Sequence, residues 1–397
     1  MRVVIVGAGA AGVQLADSLR AGGHQGPVVL LGAETALPYQ RPPLSKDYLL
    51  GREDAPPPLR GETFYADHGV ELRRGRTVTG IDLGHRHAVL HDGERVPYDN
   101  LVLATGARNR TLDIPGAGLS GVVALRTLAD ADLLRGHLAK AGRVVVLGAG
   151  FVGLEIAAAA RLLGVETVVF EAADRPMARV ASPPVSEFVT RAHAGTGVEL
   201  RCGTSVVEIV GSSGAVAAVR TDRGELLETD LVVVGVGATP RDELARRTGL
   251  PVENGVRVDE RFRAGAPGVW AIGDCASFPD LHTGRRTRLE SVQNASAQAR
   301  TLARTLLGDD TRHDEVPWFW SNQGQVRLQI AGVRQAGDRA LPLGDPAGGA
   351  FSVLSFRQER LVAVESVNRP RDHVWARRAL AGGTSPRLEE VAVELGL

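Results

Sequence analysis

Several stretches of the chain are continuous apolar runs: VVIV at 3–6, LVLA at 101–104, VVVL at 144–147, LVVV at 231–234 and VWAI at 269–272. Short β-branched runs bounded by glycine predict fully buried strands of parallel sheets. The first and third belong to two nearly repeated segments, RVVIVGAG at 2–9 and RVVVLGAG at 143–150. Each passes into a glycine-rich turn, GAGAAG at 7–12 or GAGFVG at 148–153, then an alanine-rich helical pattern, then a second apolar strand. ESVQNASAQARTLARTLLG at 290–308 predicts a helix stopped by Gly308. Residues 70–104 predict short strands, with turns at Asp92–Gly93 and Tyr98–Asp99. PYQRPPLSKDYLLG at 38–51 predicts a proline-rich loop entering a short helix. From about 316 the pattern changes: VPWFWSNQGQVRLQIAG and GAFSVLSFRQERLVAVESVN alternate as antiparallel strands do, and 371–381 and 386–396 predict closing helices.

Strand, glycine turn, helix and second strand make a dinucleotide-binding unit. Gly7 and Gly148 permit the turn out of the strand. Gly9 and Gly150 let the backbone approach a pyrophosphate, and Gly12 and Gly153 let the helix pack close to the sheet. Ala11 lies in the first of these cradles. An acid closing the second strand binds a ribose hydroxyl; the second unit offers Glu171, and the first has Ala33 followed by Glu34. One such turn is as readily an ordinary α/β loop. Two in matching context predict two dinucleotides, and hence redox chemistry.

The 397 residues allow two or three domains. A net charge of zero argues against general nucleic-acid binding. No apolar run reaches the roughly 18 residues of a membrane helix. The first strand starts at Arg2, leaving no room for a signal peptide, and the two cysteines form no metal-spaced cluster, so the expected location is cytoplasmic. The basic residues are 44 arginines and only two lysines, Lys46 and Lys140. A lysine retained in such a chain points to use of its compact ammonium group.

RPPLSKDYL (41–49), LVLATGAR (101–108), GAGFVGLE (148–155), AIGDCA (271–276), ESVQNA (290–295) and PWFWS (317–321) together resemble the FAD-dependent, NADH-using ferredoxin reductases of bacterial oxygenase systems, the putidaredoxin reductase family. The resemblance spans essentially the whole chain. It implies a glutathione-reductase-like α/β fold: an FAD domain from 1–108 and 240–315, an NAD domain at 109–239, and a C-terminal α+β domain at 316–397. It implies that Asp274 holds the ribityl chain of FAD, that Val292 lies near the pyrimidine edge of the flavin, and that Arg126 touches FAD. Lys46 would sit beside the reactive ring and pair with Glu155, where an ammonium stabilises negative charge on reduced flavin. A solvated surface lysine and a first-turn helix carboxylate are the plainer readings of that pair, and Gln14 holds the place of Glu155 in the first unit. Trp320 would lie over the flavin on the side away from nicotinamide; aromatic core packing is the alternative. The place where relatives carry the ribose acid after the first unit is Ala33, so Glu34 would act from a shifted loop. Glu171 favours NADH by repelling a 2′-phosphate, which Arg175 would soften.

Disulfide reductases of this fold carry a CxxxxC pair after the first unit; residues 38–51 contain no cysteine. Electrons therefore leave the flavin directly, towards an iron–sulfur (2Fe–2S) ferredoxin supplying a monooxygenase or Rieske dioxygenase. Arg300 and Arg304, one helical turn apart, are candidate docking cations. The alternatives are a rubredoxin reductase, an NADH oxidase or dehydrogenase with small acceptors, and a non-catalytic NADH-sensing flavoprotein resembling apoptosis-inducing factor. A monomer or weak dimer, with no bound metal, is expected.

Overall fold

The apolar runs become the central strands of two parallel sheets. The computed structural model describes residues 1–382 and 384–395, and the chain gathers into two compact units. The first contains Met1–Gln40, Pro57–Arg108 and Thr239–Pro317. Its five-stranded sheet runs, edge to edge, Val269–Ala271, Asn100–Leu103, Val3–Val6, Val28–Leu31, Val70–Arg73, all parallel. Val3 stands opposite both Val28 and Asn100. Val3, Val4 and Ile5 are fully buried, in a core that also takes in Leu15 and Leu19 of the first helix and Ala88, Leu90 and Val96 of short antiparallel strands. Each buried valine, leucine or isoleucine contributes about 1.5–3 kcal/mol of burial energy. The helices Ala10–Ala21 and Val292–Leu306 pack on one another within this unit.

The second unit contains Arg41–Pro56, Asn109–Ala238 and Trp318–Leu397. Its parallel sheet runs Val198–Cys202, Glu166–Glu171, Arg143–Leu147, Leu231–Val234, Val122–Val123. The alternating C-terminal segments form an antiparallel sheet in the order Trp318–Gln323, Val326–Gly332, Arg360–Val367, Ala350–Arg357, Arg339–Asp345. The helix Pro370–Ala381 covers it through His373, Ala376 and Leu380. The final helix is Leu388–Leu395; the end of the expected 386–396 helix lies outside the described residues.

The segment Arg41–Pro56 is a single 3-10 turn, Pro42–Ser45, followed by turns, where the sequence pattern predicts a short helix after the loop. Two prolines at its start fix the backbone and remove two donors, which favours the short turn. The segment is held by side chains: the Arg41 guanidinium donates to the Arg126 carbonyl at 3.1 Å, Tyr48 donates to Asp132, and the Arg135 guanidinium lies 4.9 Å from the Tyr48 ring centre.

Candidate functional site

In the first unit, Gly7 has φ +118°, and a Cβ there would lie 2.1 Å from the Ala104 carbonyl oxygen. A Cβ on Gly12 would lie 2.0 Å from the Gly7 carbonyl oxygen, so strand and helix meet closely. Gly9 is different: a Cβ there would meet nothing within 4 Å, and no side chain caps the helix it opens. The uncapped N–H groups and the open space together fit a pyrophosphate. Ala11 touches the Gly273–Cys275 turn, where a Cβ on Gly273 would come within 3.0 Å of the Ala11 Cβ and 3.8 Å of the Ala295 Cβ. The Gly273 N–H donates to the Gln298 side chain at 2.7 Å, and Ser291 caps the helix that begins at Val292. The first unit therefore brings Gly7, Gly9, Ala11, Gly12, Asp274 and Val292 together. Ala33 is exposed, while half-buried Glu34 accepts the Tyr39 hydroxyl at 2.5 Å. That tyrosine anchor, unread in the sequence, fixes the shifted acid.

The second unit repeats the cradle. Gly148 has φ +99°, a Cβ on Gly153 would lie 2.2 Å from the Gly148 carbonyl oxygen, and a Cβ on Gly150 would meet nothing within 4 Å. Glu171 closes its strand and is fixed by the backbone: Ala149 N–H donates to Oε2 at 2.7 Å and Ala173 N–H to Oε1 at 2.9 Å. A carboxylate so held still has acceptor capacity for ribose hydroxyls. Arg175, four residues on, is anchored by hydrogen bonds. Its guanidinium donates to the Ala181 and Ala178 carbonyls and to Ser186, which ties it to the loop that follows. Burial, followed by the Glu171 and Asp174 charges, pushes the Cys202 thiol up and disfavours its thiolate.

Lys46 and Glu155 meet in the same unit, with Lys46 Nζ 2.5 Å from Glu155 Oε2. The lysine side chain is 20% exposed and the carboxylate side chain 5%. Neither plainer reading survives. Lys46 is not a solvated surface lysine, and Glu155 lies one residue beyond the first turn of Phe151–Leu162, buried and hydrogen-bonded. Ser45 also donates to Oε2, at 2.6 Å, and Ser321 donates to Oε1, at 2.6 Å. Gln14, its counterpart, donates along its own helix, to Ser18 at 3.0 Å. Charge-assisted hydrogen bonds of this kind are worth about 1.5–3 kcal/mol each.

Trp320 is partly exposed on the strand Trp318–Gln323, its ring 6.0 Å from that of Trp318, which itself stacks on the Arg377 guanidinium at 4.1 Å. Arg126 precedes the N-cap Thr127, whose capping box with Asp130 starts the helix Leu128–Leu138; Asp130 also accepts the Arg126 N–H at 3.0 Å. The threonine of that pair is thus a capping residue. Arg300 and Arg304 each sit in an exposed ion pair, with Glu315 at 3.1 Å and Asp309 at 3.4 Å, so neither is an uncompensated cation. Ser45, Ser321 and Tyr39 escaped the sequence reading. The first two stand next to Lys46 and Trp320 in the chain, which is the one sequence signal that marks them.

Residues 1–299 match the family described as pyridine nucleotide-disulphide oxidoreductase, and residues 318–394 match the reductase C-terminal family. The chain is 47% identical to rhodocoxin reductase of Rhodococcus erythropolis, over 96% of this chain and 90% of that protein. A ferredoxin reductase from Rhodopseudomonas palustris superposes with a TM-score of 0.95 at 43% identity, covering 98% of this chain and 96% of its own. The reductase in a covalent putidaredoxin reductase–putidaredoxin complex superposes with a TM-score of 0.95 at 37% identity, covering 100% and 99%. With two glycine cradles, each followed by a fixed acid, and a Lys–Glu pair in place of a dithiol, the chain belongs to the pyridine nucleotide-disulphide oxidoreductase family, in its FAD-dependent ferredoxin reductase branch.

Proposed function

We propose that this chain oxidises NADH through FAD and passes the electrons singly to a 2Fe–2S ferredoxin that supplies a monooxygenase or Rieske dioxygenase. The observations that carry the reading are the doubled cradle and a cysteine-free segment 38–51 in which Lys46 is paired with buried Glu155. FAD, when bound, takes a hydride from the nicotinamide and gives up electrons one at a time.

The chain's own residues divide the work. Gly7, Gly9, Ala11 and Gly12 hold the FAD pyrophosphate against the first helix, Glu34 takes its adenosine ribose, and Asp274 and Val292 bind further along the cofactor. Gly148, Gly150 and Gly153 cradle the nicotinamide dinucleotide, and Glu171 accepts from its ribose hydroxyl and repels a 2′-phosphate. Lys46 keeps its charge oriented by Glu155 and lowers the energy of negative charge on the reduced ring. Arg126 and Trp320 would help to hold FAD, the tryptophan by excluding water from the ring. The domains behind this division are 1–108 with 240–315 for FAD, 109–239 for NAD and 316–397 at the C-terminus. The reaction belongs in the cytoplasm, where NADH is regenerated.

Among the described residues no helix is long and apolar enough to cross a membrane. The test of the reading is one FAD per chain in the purified protein and NADH-driven reduction of a ferredoxin. A folded protein that stays colourless after incubation with FAD ends it.

A further inference from the structure

We propose that Ser321, oriented by Gln323, is a positioning residue that fixes the Glu155 carboxylate and through it Lys46. The inference rests on the reading above in one respect: Lys46 acts on FAD.

The geometry begins with two periodicities. On the helix Phe151–Leu162, Phe151 and Glu155 are four residues apart, a rise of about 6 Å. On the strand Trp318–Gln323, Phe319 and Ser321 are two residues apart, a rise of about 6.6 Å. The two spacings match. The Phe151 and Phe319 ring centres lie 4.4 Å apart, and one step along, Ser321 Oγ reaches Glu155 Oε1 at 2.6 Å. Alternation puts Trp320 on the opposite face of the strand.

Lys46 and Ser45 both hold Oε2 of Glu155. A carboxylate held by one oxygen turns about its terminal bond, and Ser321 holds the other oxygen. A serine hydroxyl has one proton, which here goes to a group that only accepts. Its own lone pair takes the Gln323 amide at 3.4 Å, and the Gln323 carbonyl oxygen takes His193 Nε2 at 3.1 Å. Burial holds His193 below the ordinary imidazole range, so it is neutral and donates one N–H. The donors therefore run in one direction, from His193 through Gln323 and Ser321 to Glu155. Ser321 is 0% exposed, and Gln323 and His193 are each 3% exposed, so water does not compete for these bonds.

The composition supplies a probe, since Lys46 and Lys140 are the only lysines and Lys140 is exposed. The FAD-loaded protein is acetylated with an N-hydroxysuccinimide ester, and the Lys46 to Lys140 labelling ratio is read by mass spectrometry. Single-turnover reduction of the flavin by NADH is measured beside it. Ser321→Ala should raise the ratio several-fold, towards that of Glu155→Gln, and slow flavin reduction at least threefold. Ser321→Thr, which keeps the hydroxyl, should restore both. Ser321→Cys should behave as the alanine variant does, so the result does not depend on one variant folding. A wild-type ratio in the alanine and cysteine variants overturns the proposal. So does a raised ratio with an unchanged rate of flavin reduction. Neither readout uses ferredoxin, so a wild-type enzyme that fails to reduce ferredoxin counts against the function and leaves this test standing.

Discussion

At the scale of single residues, two fixed carboxylates, Glu155 and Glu171, organise the chemistry. Glu155 accepts from Ser45, Lys46 and Ser321 and is buried, so removing the lysine leaves a negative charge with hydroxyl donors alone. Lys46→Ala should therefore retain FAD, lower the flavin potential and slow reduction by NADH about tenfold or more, the cost of losing one preorganised charge; stopped-flow reduction of the holo-variant decides it. Wild-type rate and potential would show that the ammonium does not act on the flavin. Glu171 is held by two backbone N–H groups, and Arg175 is committed elsewhere. A carboxylate about 4 Å from a 2′-phosphate costs on the order of 4 kcal/mol at an effective dielectric of about 20. Glu171→Ala should shrink the NADH over NADPH preference in kcat/KM at least tenfold; equal use of both coenzymes by the wild type contradicts the assignment. Glu171 was legible because a strand must end next to the glycine turn it serves. Ser321 was not, because its partner Glu155 is 166 residues away and no local pattern encodes that meeting. The carbonyls that hold Arg175 were likewise invisible in its spacing from Glu171.

At the scale of elements, the glycines separate folding from binding. Gly150 has φ −79° and ψ −178°, which any residue adopts, and open space lies beyond it. Gly150→Ala should keep the wild-type melting temperature while raising the KM for NADH. Gly153→Ala puts a Cβ 2.2 Å from a backbone oxygen, so it should lower the melting temperature and lose coenzyme binding with it. A Gly150→Ala variant with unchanged NADH kinetics would remove the pyrophosphate from that cradle. The buried parallel strands were legible because a sheet covered on both faces needs continuous apolar runs, and VVIV and VVVL are such runs. The C-terminal antiparallel sheet was legible from alternation. The turn at Pro42–Ser45 was less so: what shapes it is Arg41, Tyr48 and their distant partners Arg126 and Asp132, not its own pattern.

At the scale of the whole molecule, four buried histidines, His24, His193, His313 and His373, weaken the fold towards acid pH. Burial, followed by the Arg377 and Arg327 charges, pushes His373 down to about 4, and burial lowers His24, His193 and His313 as well. The unfolded chain binds these protons near the ordinary imidazole value and the folded chain does not. Stability is therefore complete above about pH 6.5 and falls as pH drops towards the folded values. Glu365, pushed up by burial, works in the opposite sense and regains stability as pH falls. Denaturant midpoints from pH 7.5 to 4.5 should decline, and His373→Asn should flatten the decline; an unaltered slope would place no buried neutral imidazole there. The same molecule, with zero net charge and with Arg300 and Arg304 each in an exposed ion pair, leaves partner choice to a local surface rather than to global steering. Electron delivery to an iron–sulfur protein is tested by anaerobic mixing of the FAD-loaded chain with NADH and a panel of 2Fe–2S ferredoxins and rubredoxins. The account predicts rapid bleaching of at least one 2Fe–2S ferredoxin, with two ferredoxins reduced per NADH because a hydride carries two electrons and each cluster accepts one. Negligible reduction of every ferredoxin, with fast reduction of oxygen, quinones or rubredoxin instead, would contradict it.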